Sequence, residues 1–183
     1  MLAAAGGLTI EPEIAQITVI RGDHRSRIWF EDLYTDPRLD IALRGGDRIL
    51  VEEDTRSFSV LGATGRQNRI VFESQTLSAI EAIAQVGGLN TNLADPTGVF
   101  VFRNEPEEIA EQLLGRSDLQ GPQRFVYVLN LTEPNGMFEA RDFAIRDDDL
   151  IYVTEAPYTQ FQKILAALTG TLTPINNVQA LAN

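Results

Sequence analysis

Apolar and polar residues alternate in short runs along most of this chain, and glycine, asparagine and aspartate punctuate the runs. The pattern is densest between Ser57 and Arg103. Two apolar runs, Phe58 to Leu61 and Ile70 to Phe72, flank the turn-rich segment Gly62-Ala-Thr-Gly-Arg-Gln-Asn68. Alternation around such residues predicts a pair of strands. The period then becomes helical: Leu77, Ile80, Ile83 and Ala84 form one apolar stripe. Thr76 is the expected N-cap, because its hydroxyl can accept from first-turn N–H groups. Gly87-Gly88 is expected to stop the helix, since glycine enters the left-handed region without a Cβ clash. Gly98 to Arg103 predicts the next strand. The order strand, strand, helix, strand describes a compact sheet with a helix across one face.

The remaining chain adds strands, turns and a repeat. Residues 41–53, IALRGGDRILVEE, match residues 143–155, FAIRDDDLIYVTE, at an offset of 102 with six identities in thirteen positions. These are Ala42/Ala144, Arg44/Arg146, Asp47/Asp149, Ile49/Ile151, Val51/Val153 and Glu53/Glu155. Gly6-Gly7-Leu8 matches Gly87-Gly88-Leu89 at an offset of 81, and Val19 and Arg21 match Val101 and Arg103 at 82. Asp32-Leu33 fits Asn130-Leu131 at 98, which implies an insertion of about 16 residues in the second copy. The inserted stretch, Asn104 to Gln123, predicts a short surface helix near 105–117 that packs over a sheet edge. Pro106 suits the first helical position and Glu107 and Glu108 suit the positive end of the helix dipole.

Arg124 to Leu131 is strand-like, Glu133 to Gly136 reads as a turn, and Phe143 to Ile145 as a short strand. Asp147-Asp148-Asp149 reads as a tight turn matching Gly45-Gly46-Asp47, and Leu150 to Val153 as the last strand. Counterparts of residues 56–83 have no place before Met1. The chain is therefore expected to be a fragment of a longer protein. The other openings are that a neighbouring chain supplies the missing parts, or that the first copy folds onto the second. Near the end, Tyr158, Phe161, Ile164, Leu165, Leu168 and Leu172 fall on one side of a helix, and Asn176 to Asn183 reads as a loose tail.

Several stretches together resemble the soluble-ligand-binding β-grasp (SLBB) module of bacterial polysaccharide export proteins. They are the strand ending Val60-Leu61-Gly62, the helix TLSAIEAIAQVGGL, the Ala94-Asp95 step, the strand VFVFR ending at Arg103, and the later Asp-Asp-Leu-Ile-Tyr-Val strand. The fold class expected is α+β, with tandem β-grasp-like modules. Residues 1–55 would be an incomplete first module, 56–155 a complete one, and 156–183 a C-terminal amphipathic helix and tail. The resemblance implies the C-terminal part of an outer-membrane polysaccharide export protein of a Gram-negative bacterium. Such proteins form homo-oligomeric rings in the periplasm, pass capsular or exopolysaccharide, and meet an inner-membrane copolymerase. The resemblance makes Tyr158, Phe161, Ile164, Leu165 and Leu168 candidates for contact with the outer membrane or a neighbouring subunit. The rival reading is a soluble small-ligand-binding β-grasp module.

Composition and charge sharpen this picture. The 183 residues carry a formal net charge of −11, and 44% are hydrophobic. A basic face for nucleic acid or anionic lipid is not expected from this balance. No cysteine is present and His24, in a charged loop, is the one histidine, so a Cys-His pair and the common zinc sets are excluded. No nucleophile elbow, Walker loop or dinucleotide fingerprint occurs. Asp147, Asp148 and Asp149 could cap a turn, hold calcium weakly or act as a glycosidase pair; the turn is the expected role. Trp29, Tyr34, Tyr127, Tyr152 and Tyr158 are aromatic candidates for sugar contact, though Trp29 and Tyr127 on strands are expected in the core. No catalytic residue, metal site or cofactor is expected.

Overall fold

A computed structural model of the chain describes residues 7–40, 42–155, 173–175 and 178–182. β1 (Ala15–Arg21) is the centre of a three-stranded antiparallel sheet, with β2 (His24–Trp29) on one side and β3 (Arg48–Glu53) on the other. His24 opens β2 instead of lying in a loop, and it is exposed. A four-residue helix, α1 (Asp32–Thr35), lies between β2 and β3.

The second sheet begins with the predicted pair, β4 (Ser57–Gly62) and β5 (Asn68–Val71). It continues through β6 (Val99–Glu105), β7 (Gln123–Leu129), β8 (Leu150–Val153), β9 (Thr173–Ile175) and β10 (Val178–Ala182). The strand order is β5-β4-β8-β6-β7-β10-β9. β8 lies between β4, to which it is parallel, and β6, to which it is antiparallel. Strand β10 pairs with β7 where a loose tail was expected, so β8 is not the last strand. The residues of the C-terminal helical stripe, Tyr158, Phe161, Ile164, Leu165 and Leu168, lie outside the described residues.

Three helices accompany this sheet. α2 (Ala79–Gln85) starts later than the apolar stripe suggests. Its N-cap is Ser78, not Thr76: the Ser78 hydroxyl accepts from the Glu81 N–H at 3.3 Å, and Glu81 accepts from the Ser78 N–H at 2.8 Å. This reciprocal box satisfies two donors that one hydroxyl could not. Gly87 and Gly88 both take positive φ and end the helix as expected. α3 (Glu107–Leu114) is the inserted helix, with Pro106 as N-cap rather than first residue and Gly115 left-handed at its end. α4 (Pro134–Asp142) replaces the predicted turn at Glu133 to Gly136. Pro134 is at the first helical position, where its missing N–H costs nothing. Gly136 stands where a Cβ would strike the carbonyl of Asn130. Phe143 to Ile145 is not a strand; only a single bridge joins Ala144 to Ser78.

The chain divides into two compact units, Met1–Arg56 with Val71–Thr76 and Ser57–Ile70 with Leu77–Asn183. In the second unit Val99, Phe100, Val101, Leu129, Ile151 and Val153 are all fully buried. Each such side chain contributes about 1.5–3 kcal/mol relative to exposure. Gly62, at φ 90, lies against the backbone of Val153, where a Cβ would clash with the carbonyl.

Replacing Ser78 by alanine is expected to lower stability by about 1 kcal/mol, whereas Thr76→Ala leaves it unchanged. Urea unfolding of the two variants reads the difference, and the reverse order would restore Thr76 as the cap.

Candidate functional site

The most elaborate side-chain constellation sits at the end of β6. Arg103 is buried and forks onto Asp149, with Nε donating to Oδ1 at 2.9 Å and Nη2 to Oδ2 at 2.6 Å. The same Nη2 donates to the Ala144 carbonyl at 2.7 Å, and the Arg146 backbone N–H donates to Asp149 Oδ2 at 2.8 Å. Glu105, also buried, accepts from the Tyr127 hydroxyl at 2.7 Å, from Arg146 Nη1 at 2.7 Å and from Arg103 Nη1 at 3.4 Å. The Arg103 guanidinium lies 4.9 Å from the centre of the Phe143 ring, which meets Tyr127 edge-on at 5.1 Å. Burial works against the Arg103 charge, and the bonds to Asp149 more than offset it, so its pKa is raised. Burial, then the bond to Glu105, push the Tyr127 hydroxyl upward.

The first sheet contains the same fork. Arg21 at the end of β1 donates from Nε to Asp47 Oδ1 at 2.8 Å and from Nη2 to Oδ2 at 2.6 Å. Arg21 Nη2 reaches the Ala42 carbonyl at 2.9 Å, and the Arg44 N–H donates to Asp47 Oδ2 at 2.7 Å. Ala42, Arg44 and Asp47 are the repeat partners of Ala144, Arg146 and Asp149. The bond from Arg21, then the Arg44 N–H, hold the Asp47 carboxyl at about 2, below an ordinary 3.8.

Strand registers match as well. Val19 faces Ser26 and Ile49, as Val101 faces Tyr127 and Ile151. Ile17 faces Ile28 and Val51, as Val99 faces Leu129 and Val153. The register sets the offset between β2 and β7 at 101, not the 98 read from Asp32-Leu33, so the second copy gains 19 residues rather than about 16. A two-residue chance match had outweighed the pleat, which fixes pairing residue by residue.

These clusters are frameworks with no free reactive group. The acids at 147–149 divide by role. Asp147 accepts from the Ser57 N–H at 2.8 Å, Asp148 takes the left-handed position of the turn at φ 63, and Asp149 holds the fork. Among the described residues no group of three or more His, Cys, Asp or Glu could hold a metal ion. Tyr127 is buried, Trp29 is half-buried beneath the Arg56 guanidinium at 4.9 Å, and Tyr152 packs on the Phe100 cluster. Tyr34 is exposed, and Tyr158 lies outside the described residues. A cleft of about 300 Å³ opens between α2, α4 and Leu131. Its walls, chiefly Ile80, Ile83, Leu89, Leu131 and Met137, are apolar and offer a sugar no side-chain hydrogen bond.

Residues 56–153, more than half of the chain, match the family model of the SLBB domain. The chain belongs to the SLBB domain family. The α+β architecture, with two sheets and four α-helices among the described residues, fits the β-grasp-like SLBB module. Its relatives include the capsule polysaccharide export protein BexD of Haemophilus influenzae, 35% identical over 96% of this chain and 46% of that protein. The capsule polysaccharide export outer membrane protein CtrA of Neisseria meningitidis serogroup A is 32% identical over 100% of this chain and 49% of its own length. The Vi polysaccharide export protein VexA/TviF of Salmonella typhi is 32% identical over 88% of this chain and 43% of its own. The SLBB chain thus spans about half the length of the curated relatives it matches.

Removing the Tyr127 hydroxyl leaves a buried carboxylate oxygen short of a donor, so Tyr127→Phe is expected to cost about 2 kcal/mol in urea unfolding. A neutral effect would show that Glu105 does not need it. Asp47, its pKa lowered in the fold, contributes stability that is present above about pH 4 and lost as pH falls toward 2. Acid unfolding of Asp47→Asn should therefore show a smaller loss across that window than the parent chain; equal losses would contradict the fork.

Proposed function

We propose that this SLBB chain is the periplasmic portion of an outer-membrane polysaccharide export protein of a Gram-negative bacterium, and that it works as a non-catalytic conduit. The observation that carries the reading is similarity to proteins named for polysaccharide export along nearly the whole chain, 96% for BexD and 100% for CtrA. The fully engaged acids of the Arg103 cluster support a structural rather than a hydrolytic role. The apolar cleft beside α2 gives the rival small-ligand reading no specificity-setting contact.

In this proposal residues 1–55 form a partial SLBB module, 56–155 a complete one, and 156–183 a helical element followed by the strands β9 and β10. Tyr158, Phe161, Ile164, Leu165 and Leu168 are its apolar stripe, which meets the outer membrane or the same stripe of a neighbour. The full-length protein assembles as a ring of identical subunits, receives the polymer from an inner-membrane copolymerase and passes it outward. A conduit must not hold a long polymer tightly. The net charge of −11 serves that end, because like charge keeps an acidic chain mobile.

Loss of the full-length protein is expected to leave newly made polymer inside the envelope while synthesis continues. Undiminished surface polymer would contradict the conduit. Sedimentation of the detergent-solubilised full-length protein should show a symmetric oligomer; a monomer with one saturable small-ligand site would favour the rival.

A further inference from the structure

The matched registers allow the two sheets to be compared position by position on their other face. In the second sheet Phe100 stands between Val128 and Tyr152, and Phe102 between Val126 and Leu150. Phe100, Val126 and Val128 form a buried apolar cluster on which Phe102 and Tyr152 pack. In the first sheet the equivalent positions are Thr18 between Arg27 and Leu50, and Ile20 between Arg25 and Arg48. Three apolar positions have become arginine, all on one face, because side chains two apart on a strand point the same way. All three arginines are exposed. Among the described residues Arg25 has only a loose ion-pair partner, Glu52 at 3.6 Å, and Arg27 and Arg48 have none.

We propose that this face of the three-stranded sheet is a docking surface for an acidic polysaccharide, whose anionic groups are taken by Arg25, Arg27 and Arg48. The proposal rests on the conduit reading and gives it a substrate class. Strand geometry sets the spacing: roughly 7 Å along β2 between Arg25 and Arg27, and roughly 10 Å across β1 between Arg25 and Arg48. Such a grid presents forked donors to repeating charges on an extended polymer. None of the large exposed apolar side chains among the described residues, such as Tyr34 and Leu113, belongs to β1, β2 or β3. A protein partner would lack the apolar anchor that protein interfaces depend on. In a chain of net charge −11 the three cations act only at short range, so the contact is weak and reversible.

The test titrates the 183-residue chain with a short oligogalacturonate and, in parallel, with a neutral maltooligosaccharide of equal length, followed by NMR of backbone amides and arginine Nε–H groups. Oligogalacturonate should shift β2 and the three arginines in fast exchange, the neutral sugar should not, and salt of about 0.3 M should suppress the effect. The variant R25Q/R27Q/R48Q should bind about tenfold more weakly with an unchanged unfolding midpoint. Should it fail to fold, R27Q/R48Q, which leaves the Arg25–Glu52 pair, carries the same expectation in smaller measure. Undiminished binding by these variants, an equal response to the neutral sugar, or shifts confined to other elements would overturn the proposal. It would also fall if the substitutions changed sedimentation of the chain and not its response to oligogalacturonate, since the face would then join copies of the chain. No glycan response while surface polymer still depends on the full-length protein removes the docking face alone. Surface polymer independent of that protein removes the conduit reading.

Discussion

A carboxylate with both oxygens engaged by an arginine fork holds each sheet of this chain in register. Asp149 and Asp47 each receive two parallel N–H bonds from an arginine at the end of the central strand and a third from the backbone of their own turn. Such pairs compensate desolvation only when the geometry is complete, and removal of one member leaves a charge stranded. The fork therefore acts as a pin. Sliding the neighbouring strand by one residue would move the carboxylate to the opposite face and strand the arginine. Chain direction, turn shape and the inward set of apolar residues all follow from that one contact.

The two pins differ in depth, and the difference divides the labour of the copies. Around Arg103 the second copy adds Glu105, Tyr127 and Phe143, and it buries its outer face beneath phenylalanine and valine. It is built as a rigid core. The first copy keeps the fork with Arg21 more exposed, at 37% of its side chain against 7% for Arg103. Its outer face shows arginine where its counterpart shows valine and leucine. The scaffold occurs twice, and substitution on one face left three arginines of the first copy exposed.

Both halves of the fork were legible as repeated identities, since Arg21/Arg103 and Asp47/Asp149 appear in the aligned copies. Their partnership was not legible, because the two identities carry different offsets and only the register joins them. The capping box was readable in Ser78 and Glu81, three apart before an apolar run, but Thr76 offered a competing hydroxyl. The sequence at Glu133 to Gly136 imitates a turn because proline, asparagine and glycine favour turns. Here the proline opens a helix and the glycine lets that helix approach the Asn130 carbonyl. The cationic face stayed hidden because two strands separated by a third must be laid side by side before Arg25 and Arg48 become neighbours.

A pair of double-mutant cycles tests the duplicated pin most directly. Arg103→Met and Asp149→Asn are combined in one cycle, Arg21→Met and Asp47→Asn in the other, with stability read by urea unfolding. Coupling should be found in both cycles and be larger in the second copy, where the pair is more deeply buried. Additive effects in either cycle would mean that the shared fork does not hold that sheet, and the account of two copies built on one pin would fail.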